Sequence, residues 1–582
     1  MPVGEQGRTV VPPVAGMAAA ARLALWAILA AAYFLYAPSL RFPFVYDDIF
    51  QIVNNPHLDS WRFLPVYFTQ QVWSHAPGVA ANFYRPLFLL WLRLNNIAFA
   101  HEPAGWHFTT VLLHVLAAGL VYVLGRDSTK SRAAALAAAL VFAAHPVHVE
   151  AVAWVSGVTE PLSAAFFLGA LACYLRQVQA GHGNAWRISS VGLFCAGLLV
   201  KETVAVLPFV FLAYEFTVGR GAAGEPEPKL SSLLRKLLPY WVVLGVYLAA
   251  RSLVLHGVAA VSRPYPLVRS LLTWPWLLCF YLRELFWPAH LSALYDPVQV
   301  SRMSQLLFLA PAAVLAGIGL ASTWFIRRSR LAGFLLAWFL LTLAPAMLVF
   351  CLAPPDQAFH DRYLYLPSVA FALAAGALLA AAWKLGRTSK AVATVAAAVV
   401  VLLFAAQTHR QQLFWASNYA LFQRAVSVAP NNETAELNFA AELIKTREYE
   451  RALGLSLGAA ERHPGSARAW GSAAAASFAL RDYATAEKYY ARAAQLDPAR
   501  GDVLHYLGIT RMKLGHYAEA IEALRQAAAA SPELPGVHYA WGMAEEQLGD
   551  WKEAGEQFAA ELRLNPADSN AQKALAEVRA HL

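Results

Sequence analysis

Two adjacent aspartates, Asp47 and Asp48, follow an apolar stretch at about residues 21–40, which is long enough to cross a bilayer at ~1.5 Å per residue. Carboxylates at the end of a span lie where water meets lipid, and an enzyme whose substrate is carried on a lipid needs a general base there. The alternative is that both are solvated loop acids. Because successive side chains point to opposite faces of a strand, or about 100° apart on a helix, the pair predicts one base and one orienting acid.

Further ionisable and aromatic residues lie in short polar segments between later apolar stretches. In chain order, the candidates for contacting a substrate are Arg85, His145, His148, Glu150, Glu160, Lys201, Glu202, Asp361, Arg362 and Tyr363. The guanidinium of Arg362 is flanked by an acid, a histidine and two tyrosines, a setting suited to a phosphate held at the membrane surface. Its alternative is an arginine that extends from a span end to the interface. Arg85, which precedes a proline, is equally consistent with the start of an amphipathic helix on the membrane.

Two of these groups have simple structural alternatives. Lys201 and Glu202 are adjacent and would pair with each other at a helix end. His145, His148 and Glu150 offer metal ligands, but a metal site needs a convergent geometry that so short a stretch cannot demonstrate. We therefore predict no metal site, and dependence on a divalent metal stays open.

The composition indicates a polytopic membrane protein with more than one domain. Of the 582 residues, 58% are hydrophobic and only 14% are charged, whereas a soluble domain carries about 25% charged residues. The net charge of +9 comes from basic clusters between apolar runs, as the positive-inside rule predicts, so it does not indicate nucleic-acid binding. The first apolar stretch lacks a small-residue cleavage site and is expected to be an uncleaved anchor. The cysteines show neither metal-ligand nor disulfide spacing and are expected to be small buried hydrophobic residues: Cys173, Cys195, Cys279 and Cys351.

About eleven membrane spans are predicted, at residues 20–40, 106–125, 133–146, 161–177, 187–200, 203–218, 237–254, 305–326, 331–351, 363–383 and 390–408. A further run at 270–288 is rich in tryptophan and interrupted by prolines, and we predict that it is re-entrant or interfacial. With eleven spans and a cytoplasmic N-terminus, all the basic loops face the cytoplasm. The aspartates, the other polar clusters and the C-terminal part of the chain then face away from it.

The C-terminal part of the chain is repetitive, with prolines 34 residues apart at Pro430, Pro464, Pro498, Pro532 and Pro566. This is the period of the tetratricopeptide repeat, a helix-turn-helix unit that stacks on its neighbours to bury a face. Small in-register residues such as Gly508 and Gly542 predict close approach of the paired helices. The predicted fold is therefore all-α. A polytopic domain at residues 1–408, with a long first outer loop at 41–105, precedes a repeat domain at 409–582 with a half repeat, about four full repeats and a capping helix.

The ordered set of motifs resembles the transmembrane and tetratricopeptide-repeat-containing O-mannosyltransferases, which are GT-C glycosyltransferases. The matching segments are Phe44-Val-Tyr-Asp-Asp48 with Asn54-Asn-Pro56, Tyr84-Arg-Pro-Leu87, His145-Pro-Val-His-Val-Glu-Ala-Val152, Lys201-Glu202 and Arg362-Tyr-Leu-Tyr-Leu-Pro-Ser368. Two positions depart from the family. Val158-Thr-Glu160 stands where an Arg-Ala-Asp type sequence is usual, and Asp361 stands where a glutamate is usual.

The resemblance implies an enzyme that transfers a sugar, expected to be mannose, from a polyprenyl phosphate with inversion to Ser or Thr hydroxyls of secreted or periplasmic proteins. It implies Asp47 as the base. Arg362 is the first choice for the cation that faces the leaving phosphate, with Lys201 and Arg85 as weaker candidates. The repeats would bind the acceptor polypeptide, and no cofactor beyond the lipid-linked donor is required. The alanine-rich composition suggests a bacterial inner membrane with periplasmic repeats; a eukaryotic protein would have lumenal repeats at the endoplasmic reticulum.

Three other functions fit part of the pattern. A GT-C transferase could act on a glycan or lipid acceptor, although the repeats favour a polypeptide. A non-enzymatic membrane scaffold that recruits partners explains the repeats, but it does not explain why acids, histidines and an arginine gather on one side. A transporter would place its ionisable residues within the spans, near the midplane of the bilayer.

Overall fold

The computed structural model describes residues 15–76, 81–180, 184–219, 229–257, 266–351 and 358–581, and the regular secondary structure in these ranges is entirely helical. The chain divides into two compact units: Met1–Ala293 with Val298–Leu421, and Leu294–Pro297 with Phe422–Leu582. The all-α fold predicted from the sequence is confirmed.

The first unit contains the helices α1 (Ala15–Tyr36), α2 (Leu64–Thr69), α3 (Pro86–Phe99), α4 (Pro103–Thr129), α5 (Arg132–Ala144), α6 (Val149–Ala153), α7 (Thr159–Ala180), α8 (Asn184–Val200), α9 (Leu207–Phe216), α10 (Leu230–Lys236), α11 (Leu238–Val254), α12 (Leu267–Phe286), α13 (Leu306–Arg328), α14 (Arg330–Phe350), α15 (Pro367–Trp383) and α16 (Arg387–Gln412). Helices α3, α4 and α15 each begin with a proline, whose missing N–H would have no helical partner at this position. A helix therefore begins at Pro86, directly after Arg85. The hypothesis that Arg85 lies at the start of a helix requires this.

Among the described residues, five helical segments are long and apolar enough to cross a membrane: Pro103–Thr129, Val155–Val178, Leu306–Arg328, Arg330–Phe350 and Arg387–Trp415. Two bent pairs raise this to seven if each is one span: Arg132–Ala144 with Pro146–Ala153, bent by 51°, and Leu230–Lys236 with Leu238–Val254, bent by 65°. These segments indicate a multi-pass membrane protein, and the count of eleven stays a prediction. Helix α12, which covers most of the predicted interfacial run, does not meet the same criteria.

The predicted span at 203–218 is shorter in the structure. Helix α9 has ten residues, and a 3-10 turn, Glu202–Val206, precedes it. At ~1.5 Å per residue such a helix cannot cross the ~30 Å hydrocarbon core alone. The apolar composition extends further than the helix because the turn before it is also apolar.

Close packing of α5 against α15 positions much of the polar cluster. A Cβ on Gly376 of α15 would overlap the carbonyl oxygen of Ala134 in α5, so only glycine permits this approach. Glu150 follows α5, and a 3-10 turn at Asp361–Leu364 leads into α15. The helix pair thereby brings together two segments that are far apart in sequence.

The second unit is a series of antiparallel helix pairs: α18 (Glu433–Lys445) with α19 (Tyr449–Arg462), α20 (Ala467–Ala479) with α21 (Tyr483–Leu496), α22 (Gly501–Leu514) with α23 (Tyr517–Ala530), and α24 (Val537–Leu548) with α25 (Trp551–Leu564). Helix α17 (Asn418–Val428) precedes them and α26 (Ser569–Arg579) follows. A Cβ on Gly508 would lie 2.5 Å from Leu524, and one on Gly542 would lie 2.6 Å from Phe558. The repeat fold and the close approach predicted from these glycines are confirmed.

The predicted domain boundary at residue 408 falls inside α16. Three polar side chains in the last two turns of this helix bond to carbonyl oxygens of the first unit: Thr408 to Ala144 at 2.7 Å, Gln411 to Leu291 at 2.9 Å and Gln412 to Leu35 at 3.0 Å. The end of α16 is polar, but these hydrogen bonds attach it to the first unit. The first unit therefore extends beyond residue 408, to Leu421.

Candidate functional site

The carboxylate of Asp48 is fully buried and accepts three hydrogen bonds. Its Oδ1 accepts from the backbone N–H of Ser156 at 2.8 Å and from the hydroxyl of Ser156 at 2.5 Å, and its Oδ2 accepts from the N–H of Val45 at 3.1 Å. Burial raises the pKa of Asp48 to about 7 against the effect of these donors, and the charge of Asp47 adds to the rise. Oδ1 therefore ties the loop that carries Asp48 to the segment after α6, whereas Oδ2 closes a turn within that loop.

The neighbouring Asp47 is in a different setting. Its side chain is partly exposed, and none of the described residues donates a hydrogen bond to its carboxylate. Burial raises the pKa of Asp47 to about 6, while the positive charge of Arg362 acts to lower it. Arg362 is therefore close enough to act electrostatically on Asp47, although the two residues are far apart in sequence.

The turn that separates the two aspartates starts from an unusual backbone conformation. Tyr46 has a φ of 56°, in the left-handed region that few residues other than glycine adopt. The side-chain oxygen of Asn418 accepts the backbone N–H of Tyr46 at 2.8 Å, and the Tyr46 ring lies 5.8 Å from the ring of Trp154. Trp154 in turn stacks on Trp415 at 5.6 Å. These contacts hold the turn that directs Asp47 and Asp48 to different surroundings.

Arg362 forms an ion pair with the buried carboxylate of Glu150. The backbone N–H of Arg362 also donates to Glu150, at 2.9 Å, and His360 shares the same carboxylate at 3.1 Å. The guanidinium lies over the rings of Trp154 and Tyr363, at 5.3 and 5.5 Å. The side-chain contacts of Arg362 with Glu150 and with Nδ1 of His360 both use Nη1, so the other N–H groups of the guanidinium have no hydrogen-bond partner among the described residues.

Lys201 and Glu202 do not pair with each other, so the simple structural alternative predicted for them is wrong. Lys201 pairs with the buried Glu160, and Arg85 binds Glu202 through two hydrogen bonds, at 2.6 and 3.0 Å. The residues separate because Val200 ends α8 at this point and the extended backbone of Lys201 directs adjacent side chains apart. Burial raises the pKa of Glu202. The positive charges of Arg85, which has the larger effect, and of Lys201 outweigh burial and lower this pKa to about 2.

Aromatic contacts join these ion pairs. The ring of Tyr363 has Lys201 at 5.6 Å and Arg362 at 5.5 Å. Such cation–π contacts are attractive and keep both cations near one ring. The ion pairs Arg362–Glu150 and Lys201–Glu160 therefore lie close together, and Asp47 lies within electrostatic reach of the first of them.

Three predicted substrate residues are placed elsewhere. His145 and His148 are fully buried, and they bond to the carbonyl oxygen of Leu285 at 2.9 Å and to the hydroxyl of Ser368 at 2.8 Å. The carboxylate of Asp361 accepts the N–H of Ser292 at 3.1 Å. The rings of His148 and His145 lie against those of Phe142 and Phe404, each at 4.4 Å. Within the described ranges, no group of three or more His, Cys, Asp or Glu side chains is arranged to hold a metal ion.

Sequence patterns did not identify several residues that shape the site. Ser156 holds Asp48, Asn418 holds the backbone before Asp47, and Trp154 covers Arg362. Trp154 lies a few residues after the His145-Pro146 motif, and this proximity is the sequence feature that could have identified it as a site residue. Asn418 lies in the segment that was predicted to belong to the repeat domain, and Ser156 carries no motif.

Three segments of the chain match known family models. Residues 85–244 match the family described as dolichyl-phosphate-mannose-protein mannosyltransferase. Residues 467–500 and 501–534 each match the tetratricopeptide repeat.

Individual proteins match over a longer part of the chain. The chain is 26% identical to Protein O-mannosyl-transferase TMTC3 of Homo sapiens over 468 residues, which cover 74% of this chain and 50% of that protein. It is 28% identical to Protein O-mannosyl-transferase TMTC1 of Homo sapiens over 490 residues, which cover 73% and 53% of the two chains. The chain thus spans about half the length of these relatives.

One solved structure is similar to part of the chain. The crystal structure of YrrB, described as a TPR protein with an unusual peptide-binding site, is 25% identical with a TM-score of 0.25. The similarity covers 28% of this chain and 82% of that one.

Proposed function

We propose that the chain is a membrane glycosyltransferase, because its motifs resemble, and its sequence is similar to, those of the transmembrane and tetratricopeptide-repeat-containing O-mannosyltransferases. Its donor is mannose on a polyprenyl phosphate, and its acceptors are Ser or Thr hydroxyls of proteins. The observation that carries this proposal concerns the carboxylate of Asp47: none of the described residues donates a hydrogen bond to it, and it lies within electrostatic reach of the guanidinium of Arg362.

In the proposed reaction, the acceptor oxygen attacks the anomeric carbon as the bond from that carbon to the phosphate oxygen breaks. The hydroxyl proton passes to Asp47, and the sugar inverts because attack and departure occur on opposite faces. A carboxylate whose pKa is about 6 is a better proton acceptor at neutral pH than one of ordinary pKa near 3.9. Asp48, which accepts three hydrogen bonds, orients the loop that carries the base.

Arg362 is proposed to stabilise the negative charge on the departing polyprenyl phosphate. The leaving group is already a stable anion, so it needs a cation and not a proton. Glu150 fixes the guanidinium on one side, and the remaining N–H groups are left for the phosphate. Lys201, held by Glu160 against Tyr363, adds positive charge nearby.

The test is Asp47→Asn, assayed with radiolabelled polyprenyl-phosphate mannose and a Ser/Thr-rich peptide. The substitution keeps the size of the side chain and removes the base, so sugar transfer should fall by at least about a hundredfold. Asp59→Asn is the control, because Asp59 is an exposed acid in the same loop. Full activity in Asp47→Asn, with normal membrane insertion, would exclude Asp47 as the base. Transfer to lipid or glycan but to no peptide would favour the other acceptor class.

A further inference from the structure

A second polar cluster, consisting of Arg85, Glu202 and Tyr247, lies next to the residues proposed to act in sugar transfer. The guanidinium of Arg85 donates two hydrogen bonds to the carboxylate of Glu202, from Nε at 3.0 Å and from Nη2 at 2.6 Å. Glu202 directly follows Lys201, whose ammonium group lies over the ring of Tyr363 at 5.6 Å. The cluster therefore borders the proposed donor site, and the proposed reaction gives it no role.

Helix α11 brings Tyr247 to this cluster. Tyr247 and Arg251 are four residues apart, so they lie on the same face of the helix. The ring of Tyr247 lies 6.2 Å from the ring of Tyr84. Nη2 of Arg251 donates to the backbone carbonyl oxygen of Asn82 at 2.9 Å. Because Tyr84 directly precedes Arg85, these contacts place Tyr247 beside the ion pair that Arg85 forms.

The hydroxyl of Tyr247 is buried, and none of the described residues forms a hydrogen bond with it. The residue as a whole is only 5% exposed. Glu202, Arg251 and Arg85 lie close enough to act electrostatically on this hydroxyl. Buried polar groups in proteins are nearly always paired, so an unpaired one among charged side chains indicates a partner from outside the chain.

Arg85 also has a donor that Glu202 does not use. Both of its hydrogen bonds to Glu202 come from Nε and Nη2, and Nη1 has no partner in the part of the chain that the structure describes. The guanidinium lies over the ring of Phe83 at 4.3 Å, which fixes its plane. Both members of the ion pair are partly exposed. A ligand would therefore meet a guanidinium donor, a carboxylate acceptor and a hydroxyl that can do both.

This set of groups suits a neutral sugar better than a phosphate. Glu202 occupies the edge of Arg85 that could bind a phosphate through two hydrogen bonds, and its own charge repels an anion. Arg362 differs, because its side-chain contacts use only Nη1 and leave the edge formed by Nε and Nη2 for a phosphate. Sugar hydroxyls both donate and accept, so they can bond to each of the three groups in the cluster.

From this arrangement we infer that Tyr247 is a specificity-determining residue, whose hydroxyl forms a hydrogen bond with a hydroxyl of the transferred sugar. Arg85 and Glu202 contact the same sugar. The inference rests on the proposed function in taking a polyprenyl-phosphate sugar as the donor. A site that bonds to a substrate hydroxyl discriminates against an analogue without it, because the polar groups of the site are then left unpaired.

The test measures dissociation constants of the full chain in detergent, without acceptor. The ligands are polyprenyl-phosphate mannose, each of its monodeoxy analogues, and polyprenyl phosphate without sugar. Tyr247→Phe removes only the hydroxyl and should weaken binding of polyprenyl-phosphate mannose about fivefold, as expected for one hydrogen bond. The analogue that lacks the contacted hydroxyl should bind equally to both proteins, and so should polyprenyl phosphate. The other analogues should lose about fivefold.

Tyr240→Phe is the matched control. Tyr240 lies on the same helix, but its hydroxyl donates to Ser190 at 2.8 Å. Its loss should lower the melting temperature and leave the relative affinities for the ligands unchanged. Tyr247→Phe should show the opposite pattern, with an unchanged melting temperature, because its hydroxyl has no partner among the described residues.

Three results would overturn the inference. Unchanged binding of all ligands by Tyr247→Phe would show that the hydroxyl contacts no part of the donor. An equal loss for every ligand, including polyprenyl phosphate, would assign the hydroxyl to the phosphate. A loss for every sugar ligand, with no analogue insensitive to the substitution, would exclude a bond to one sugar hydroxyl.

The outcome is separable from the proposed function because binding is measured without acceptor and needs no base. Binding that depends on Tyr247 and on one sugar hydroxyl, without sugar transfer to any acceptor, would leave the inference standing and refute the enzyme. Sugar transfer by the unaltered protein, with no effect of Tyr247→Phe on any dissociation constant, would do the reverse.

Discussion

Replacing Arg362 with glutamine is predicted to move the acidic limb of the pH–rate profile to higher pH. Asp47 accepts a proton only as a carboxylate, so kcat/KM should fall as the pH decreases through its pKa of about 6. Burial raises this pKa and the charge of Arg362 lowers it. Removing the cation therefore raises the pKa further, and the limb follows it.

The size of the shift follows from the charges present. A cation a few ångströms from a carboxylate lowers its pKa by about one to three units, and Glu150 offsets part of the charge of Arg362, so we expect about one unit. At about pH 6.5 the ionised fraction of Asp47 then decreases from about three quarters to about one quarter. This is about a threefold loss, in addition to any pH-independent loss from weaker donor binding.

The assay measures kcat/KM from about pH 4.5 to about pH 8.5 with polyprenyl-phosphate mannose and a Ser/Thr peptide. Arg41→Gln is the matched control, because Arg41 is an exposed arginine near the same loop and does not act on the pKa of Asp47. Its profile should coincide with that of the unaltered protein. A limb that stays in place in Arg362→Gln, or a limb near pH 4 in the unaltered protein (the ordinary Asp value, about 3.9), would refute the link between the two residues.

Three further substitutions test the framework around the site and the repeats. Asn418→Ala removes the acceptor of a 2.8 Å hydrogen bond next to the aspartates and should lower kcat about fivefold without changing the KM for the donor or the melting temperature; an unchanged kcat, or a kcat loss matched by a loss of folded protein, would contradict a role in positioning Asp47. Lys201→Met leaves the buried carboxylate of Glu160 unpaired and should destabilise the protein by about 3–5 kcal/mol, and adding Glu160→Gln should restore most of the melting temperature. Gly508→Ala places a Cβ 2.5 Å from the paired helix and should lower the melting temperature, whereas Gly454→Ala, with open space and better helix propensity, should not.

The sequence by itself determined the features that depend on neighbouring residues. The 34-residue spacing from Pro430 to Pro566 was sufficient to predict paired helices, because each repeat contacts mainly the repeats next to it. The in-register Gly508 and Gly542 likewise marked close helix contacts. Apolar length predicted a multi-pass chain, although it overestimated α9, whose preceding turn is equally apolar.

The tertiary structure decided which charged groups meet. Lys201 pairs with Glu160 and not with the adjacent Glu202, and Arg362 pairs with Glu150 from a distant segment. Residue type and spacing alone do not distinguish Asp47 from Asp48, and only the family resemblance implied Asp47 as the base. Ser156 and Val45 occupy the oxygens of Asp48, while the carboxylate of Asp47 accepts no hydrogen bond from the described residues. Such pairings depend on how helices such as α5 and α15 pack. Loop closure and packing, and not local propensity, determine a contact between distant segments. Such a contact therefore leaves no periodic pattern in the sequence.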